Sequence, residues 1–148
     1  MNLFNSLEIS GSALAAERQR SEIIAANMAN AETTHTEAGG PFKRREVVFQ
    51  SSGSSTFRLA LASSGGSTGA TPGSVAVSQV IDDPTAPVMR YEPGHPDANK
   101  EGYVAYPAIN PAMEMVDLMG SVRAYQLNAS AVSAAKQMIQ QTIDILKS

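Results

Sequence analysis

Residues 113–146, MEMVDLMGSVRAYQLNASAVSAAKQMIQQTIDIL, decide the fold. Met115, Leu118, Val122, Tyr125, Ala129, Val132, Lys136, Ile139, Ile143 and Leu146 fall at alternating spacings of three and four, with Lys136 the one break in the seam. A heptad pattern sustained this long predicts a helix of coiled-coil type running almost to the last residue. Asn110 and Pro111 mark its start, because an Asn side chain caps free N–H groups and proline costs nothing in a first helical turn.

The amino-terminal segment repeats the pattern more weakly. Leu7, Leu14, Ser21 and Met28 recur every seven residues, with Phe4, Gly11, Arg18 and Ala25 at the companion positions. So thin an apolar stripe does not hold a lone helix in water, which makes the carboxyl-terminal helix the expected partner. Apolar residues off the seams, such as Ile9, Ile23, Val116, Met119 and Ile145, exceed what a helix pair covers and predict further neighbours.

Outward from the helices the period changes. FKRREVVF, FRLALA and VAVSQVI alternate as short strands, the second at Phe57 to Leu61 and the third at Val75 to Ile81. The serine-glycine stretches of residues 51–56 and 63–74 read as flexible loop. Residues 82–111 hold six of the eight prolines and predict an extended strap in which no helix or inner strand persists. The expected fold is therefore mainly α with a small β element. Residues 1–31 and 108–148 supply a helical hairpin, and residues 32–107 supply a β-hairpin, a loop and the strap.

Composition narrows the function. In 148 residues the net charge is −3, which lacks the basic face of a nucleic-acid binder. Aromatics are 5% and tryptophan is absent, so the 43% apolar fraction consists largely of small side chains that bury little area each. There are no cysteines, which excludes disulfides and thiolate metal sites. The first residues lack the basic start and apolar run of a cleaved signal, and no run is long enough to span a bilayer.

Candidate chemistry is sparse. Glu92, His95 and Asp97 could ligate a metal, but Gly94 and Pro96 make their segment a turn and no second histidine is near. His35 has no serine or cysteine nucleophile placed beside it. GGPFKRR lacks the spacing of a phosphate loop, and its basic run is expected to rim an interface. What remains is the pair Asn27 and Asn30 at the end of the first helix. Asparagine is a poor helix-interior residue, and two amides on one face suggest that this end is fixed against another part of the chain or another subunit.

These residues carry a resemblance. Ala26, Asn27, Asn30 and Ala31, followed by threonines, are similar to the helix-ending signature of bacterial flagellar axial proteins, which rod, hook and hook-filament junction proteins share. The run Tyr91, Pro93, Gly94, His95, Pro96 with Gly102, Tyr103 and Val104 resembles, within that group, the proximal rod protein family of the basal body. Ala108 to Pro111 and Gly120 to Val122 depart from the family pattern, affecting at most the onset and stiffness of the last helix. The resemblance implies a non-enzymatic rod subunit, exported through the flagellar type III apparatus to the periplasm without a cleaved signal. Its implied partners are other rod proteins and the inner-membrane ring and export-gate region, with no cofactor, nucleic acid or small-molecule substrate. It also implies that the Asn pair locks the helix end within a tube of subunits. With the seams, the candidate interface residues are Asn27, Asn30, Leu14, Met28, Leu118, Val122, Tyr125, Val132, Ile139 and Ile143. The competing functions are a small periplasmic peptidoglycan hydrolase built on Glu92, His95 and Asp97, and a cytoplasmic helical adaptor or export chaperone.

Overall fold

The computed structural model describes residues 3–52 and 73–147. The strand expected from Phe57 to Leu61 and most of the serine-glycine stretches lie outside the described residues. Helix α1 spans Leu3–Ala29 and helix α2 spans Pro111–Lys147. The 37 residues of α2 make it roughly 55 Å long at 1.5 Å per residue. Asn110 caps it as expected: its Oδ1 accepts the Ala112 N–H at 3.0 Å, and its carbonyl accepts the Glu114 N–H at 3.1 Å. Among the described residues four strands lie between the helices, β1 at Arg45–Ser52, β2 at Ser74–Asp82, β3 at Val88–Tyr91 and β4 at Tyr103–Tyr106. β1 pairs with β2 and β3 with β4. Among the described residues no helix is long and apolar enough to cross a membrane.

The seam of α2 differs from the expected one by a single residue. Its most buried positions are Glu114, Ser121 and Ala135, each one step before Met115, Val122 and Lys136. One residue is about 100° of helix rotation, so Met115, Val122, Tyr125, Ile143 and Leu146 stay exposed in the subunit, while Leu118, Val132 and Ile139 are half-buried. The physical reason is size: the inward positions are small or polar, which lets backbones approach, and the apolar periodicity marks a side turned outward. In α1 the inward side is mixed. Ala16, Ile24 and Asn27 are buried, Leu7, Leu14, Ser21 and Met28 are half-buried, and Phe4, Gly11, Arg18 and Ala25 are exposed.

The proline-rich strap is corrected more plainly, since it folds back on itself. β3 and β4 run antiparallel, with Val88 opposite Tyr106 and Tyr91 opposite Tyr103. No proline falls inside either strand. Pro84 and Pro87 precede the hairpin, Pro93 and Pro96 lie in its connection, and Pro107 follows, so the ring that cannot donate to a ladder punctuates the strands without interrupting them. The connection is shaped by Asn99, whose Oδ1 accepts the N–H groups of Glu101 and Tyr103, both at 2.9 Å. Gly102 closes it at φ 82°, where a Cβ would lie 2.9 Å from the Tyr91 ring and 3.2 Å from Pro93.

Two compact units divide the chain. One takes its described residues from Met1–Gln19, Phe49–Ser78 and Val122–Ser148. In it Ser12 joins helix to strand, accepting the Val75 N–H at 3.0 Å and donating to the Ile9 carbonyl at 2.8 Å. The second unit, Arg20–Val48 and Gln79–Ser121, contains the hairpin, the end of α1 and the start of α2. There Ser21 and Ser121 meet at 2.9 Å. Ser121 Oγ also lies 2.9 Å from the Leu118 carbonyl, to which its hydroxyl donates.

Candidate functional site

The end of α1, the start of β1 and the first turns of α2 converge on one side chain, Asn27, which is 1% exposed. The Arg45 N–H meets its Oδ1 at 2.9 Å, and its Nδ2 donates back to the Arg45 carbonyl at 2.9 Å. The amide thus stands in for a neighbouring strand, satisfying both main-chain groups of one residue at the strand's first position. The N–H fixes the orientation of the amide, because the atom it meets must be oxygen. The second Nδ2 proton reaches Glu114 Oε2 at 3.1 Å.

Glu114 is 1% exposed, a carboxylate that burial alone would penalise heavily. Its other oxygen, Oε1, accepts from Arg44 Nε at 2.6 Å. Arg44 also bonds Glu46 and lies 3.7 Å from Asp117. Burial works against the charge of Arg44, but hydrogen bonding to and attraction by Glu114 and Glu46 outweigh it and raise the guanidinium pKa. The result is a buried polar clamp with every member satisfied, a geometry that specifies one arrangement of α1, β1 and α2 in this unit. Arg44 departs from the expectation that the basic run rims an interface, since it turns inward to the clamp.

Asn30 does something else. Its Nδ2 bonds the Ala26 carbonyl four residues back at 2.9 Å, and its Oδ1 accepts the Thr33 hydroxyl at 3.1 Å. Those bonds are local and finish the helix. The threonine run then ties the linker to the hairpin connection, with Thr34 Oγ1 donating to Asp97 Oδ2 at 2.6 Å. Glu92 accepts from the Tyr106 hydroxyl at 2.9 Å, a bond that, with desolvation and the carboxylate's charge, pushes the phenol pKa up. His95 Nδ1 accepts the Asp97 N–H at 3.1 Å. Glu92 is thus engaged by Tyr106, Asp97 by Thr34, and His95 by the main chain of Asp97. Among the described residues no group of three or more such side chains is placed to hold a metal ion.

Sequence reasoning found Asn27 and Asn30 and missed Glu114, Arg44 and Ser121. Glu114 carries one signal, an acid in a first helical turn, which reads equally well as a solvated complement to the helix dipole.

Comparison with known proteins identifies the class first. The sequence model described as flagella basal body rod protein matches residues 7–34, which contain Asn27 and Asn30. That of the carboxyl-terminal part of flagellar basal body rod FlgEFG proteins matches residues 100–145, which contain Glu114. Both ends are those of flagellar axial rod proteins. The flagellar basal-body rod protein FlgC of Bacillus subtilis is 39% identical, covering 99% of this chain and 100% of that protein. FlgC of Yersinia enterocolitica is 34% identical over 98% of each chain, and FlgC of Borreliella burgdorferi 30% over 99% of each. The chain belongs to the FlgC family of flagellar basal-body rod proteins, and it is a structural subunit of the basal-body rod.

Proposed function

We propose that this subunit assembles with other axial proteins through the outer face of α2 and passes motor torque along the rod, with the Asn27 clamp holding its own elements in one geometry. The observation that carries the reading is the exposed apolar surface of α2. Val116 is 62% exposed, Leu127 67% and Ile145 74%. Each such side chain gains about 1.5–3 kcal/mol when fully covered, so a helix that leaves a row of them in water is built to be covered by neighbours. Val122, Tyr125 and Ile143 are also exposed, on other sides of α2, and offer neighbours further contacts, whereas Asn27 contributes from inside the subunit. Rod proteins and the inner-membrane ring and export-gate region are the partners, and the flagellar export apparatus delivers the chain to the periplasm. The role is mechanical and needs no chemical step.

The chain has no cysteine, so a single one reports cleanly. Leu127→Cys should react with a thiol probe in the free subunit and be protected in purified basal bodies. Equal labelling in both would remove the α2 face from the interface.

A further inference from the structure

We propose that β3 is a strand-addition site whose free edge receives an extended segment of a neighbouring axial subunit, apolar on one face and carrying a carboxylate on the other. The inference rests on the assembly reading above and adds a second, chemically different contact to it.

The argument starts from the ladder. Glu92 N donates to the Gly102 carbonyl at 2.9 Å, which makes Glu92 and Gly102 a hydrogen-bonded pair. Antiparallel pairs alternate, so Arg90 with Val104 and Val88 with Tyr106 are bonded pairs, while Tyr91 with Tyr103 and Met89 with Ala105 are not. The N–H and C=O groups of Met89 and Tyr91 therefore point away from β4. On the β4 side the chain answers the same need for itself at Tyr103, whose N–H goes to Asn99 Oδ1 and whose carbonyl takes the Asn99 N–H at 2.8 Å. On the β3 side no described residue takes the outward groups of Met89 and Tyr91.

All four residues of β3 are exposed. Met89 and Tyr91 share one face of the hairpin with Tyr103, whose ring stands 5.3 Å from that of Tyr91. On the opposite face Arg90 lies 4.6 Å over the Tyr106 ring and has no carboxylate among the described residues. Main-chain donors and acceptors at alternate positions fit one occupant geometry, an extended strand. The side chains specify the rest: an apolar residue beside Met89 and Tyr91, and an Asp or Glu reaching Arg90. Pro87 and Pro93 bracket the edge and hold the added strand to a few residues, which also prevents open-ended sheet growth.

Proline tests the edge alone. At Met89 it removes an outward N–H and leaves the β3–β4 ladder intact, so purified Met89→Pro should unfold at the same denaturant concentration as Met89→Ala. In basal bodies both variants lose the Met89 side-chain contact, and the Pro variant should assemble at least about tenfold less than the Ala variant, since Ala keeps the outward N–H and Pro lacks it. Independently, amide exchange at Met89 and Tyr91 should be at least about tenfold slower in wild-type basal bodies than in the free subunit. Unchanged exchange, or equal assembly of the Pro and Ala variants, would overturn the strand addition while leaving the assembly reading in place. Absence of the wild-type subunit from basal bodies would instead overturn that reading. Should Met89→Pro fail to fold, the exchange measurement decides alone.

Discussion

Around Asn27 and Glu114 the side chains almost free of solvent are polar, while along α2 the large apolar side chains Val116, Leu127 and Ile145 are the exposed ones. A protein that works alone is expected to be built the other way round. The clamp is directional: an amide, a carboxylate and a guanidinium accept few alternative geometries, so they fix how α1, β1 and α2 meet. The apolar face is non-directional and tolerates small adjustments while still excluding water. A part that must hold its own shape while packing against neighbours uses each material where its physics suits.

The comparison breaks most clearly at its two centres. Glu114→Ala leaves Arg44 and one Asn27 proton without their buried partner, and should lower subunit stability by about 3 kcal/mol. Asp117 and Glu46 remain near Arg44 and keep the loss from being larger. Leu127→Asp, by contrast, places a carboxylate in water and should change the free subunit by less than about 0.5 kcal/mol. Urea midpoints of the two purified variants make the measurement. Equal losses would mean that Leu127 is already packed within the subunit, and the contrast between inside and outside would fail.

A smaller effect separates the two asparagines. Asn27→Ala removes both bonds to Arg45 and the one to Glu114, leaving a strand N–H unmet, and should cost about 2 kcal/mol. Asn30→Ala loses only local bonds and gains a better helix former, so its change should stay within about 0.5 kcal/mol. Comparable losses from both would show that the helix end, and not the clamp, is what the pair protects.

Periodicity and punctuation made the helices legible, and with them the cap at Asn110 and the strands of β1 and β2. The hairpin is hidden in a proline-dense segment because each ring sits outside the strands, in a connection or where a strand starts or has ended. The seam was displaced because the heptad pattern records where apolar residues recur. In this subunit that is not the side buried within the chain. The clamp was half legible. Two asparagines in a helix are conspicuous, but Glu114 lies 87 residues from Asn27 and 70 from Arg44. Nothing in its local sequence distinguishes a buried acid from a solvated one.

The smallest expected effect lies where the clamp's strand and its neighbour part. Asp83 extends the pairing of β1 and β2 by one step, its N–H donating to the Arg44 carbonyl at 2.7 Å. Its Oδ1 accepts both the Thr85 hydroxyl and the Thr85 N–H, at 2.5 and 2.8 Å. The hydroxyl bond and then the main-chain bond hold the carboxyl pKa below its ordinary value against desolvation, and the charge of Arg44 adds the smallest contribution. A carboxylate lowered on folding stabilises the turn fully above its unfolded pKa, and that contribution disappears as pH falls through the lowered folded value. Thr85→Val removes the hydroxyl and keeps the N–H, so the Asp83 pKa should rise toward, without reaching, its ordinary value. Carboxyl NMR titration of the two proteins reads the shift directly. An unchanged Asp83 titration would show that the hydroxyl contributes nothing and would leave the lowering to the main-chain bond and the charge of Arg44.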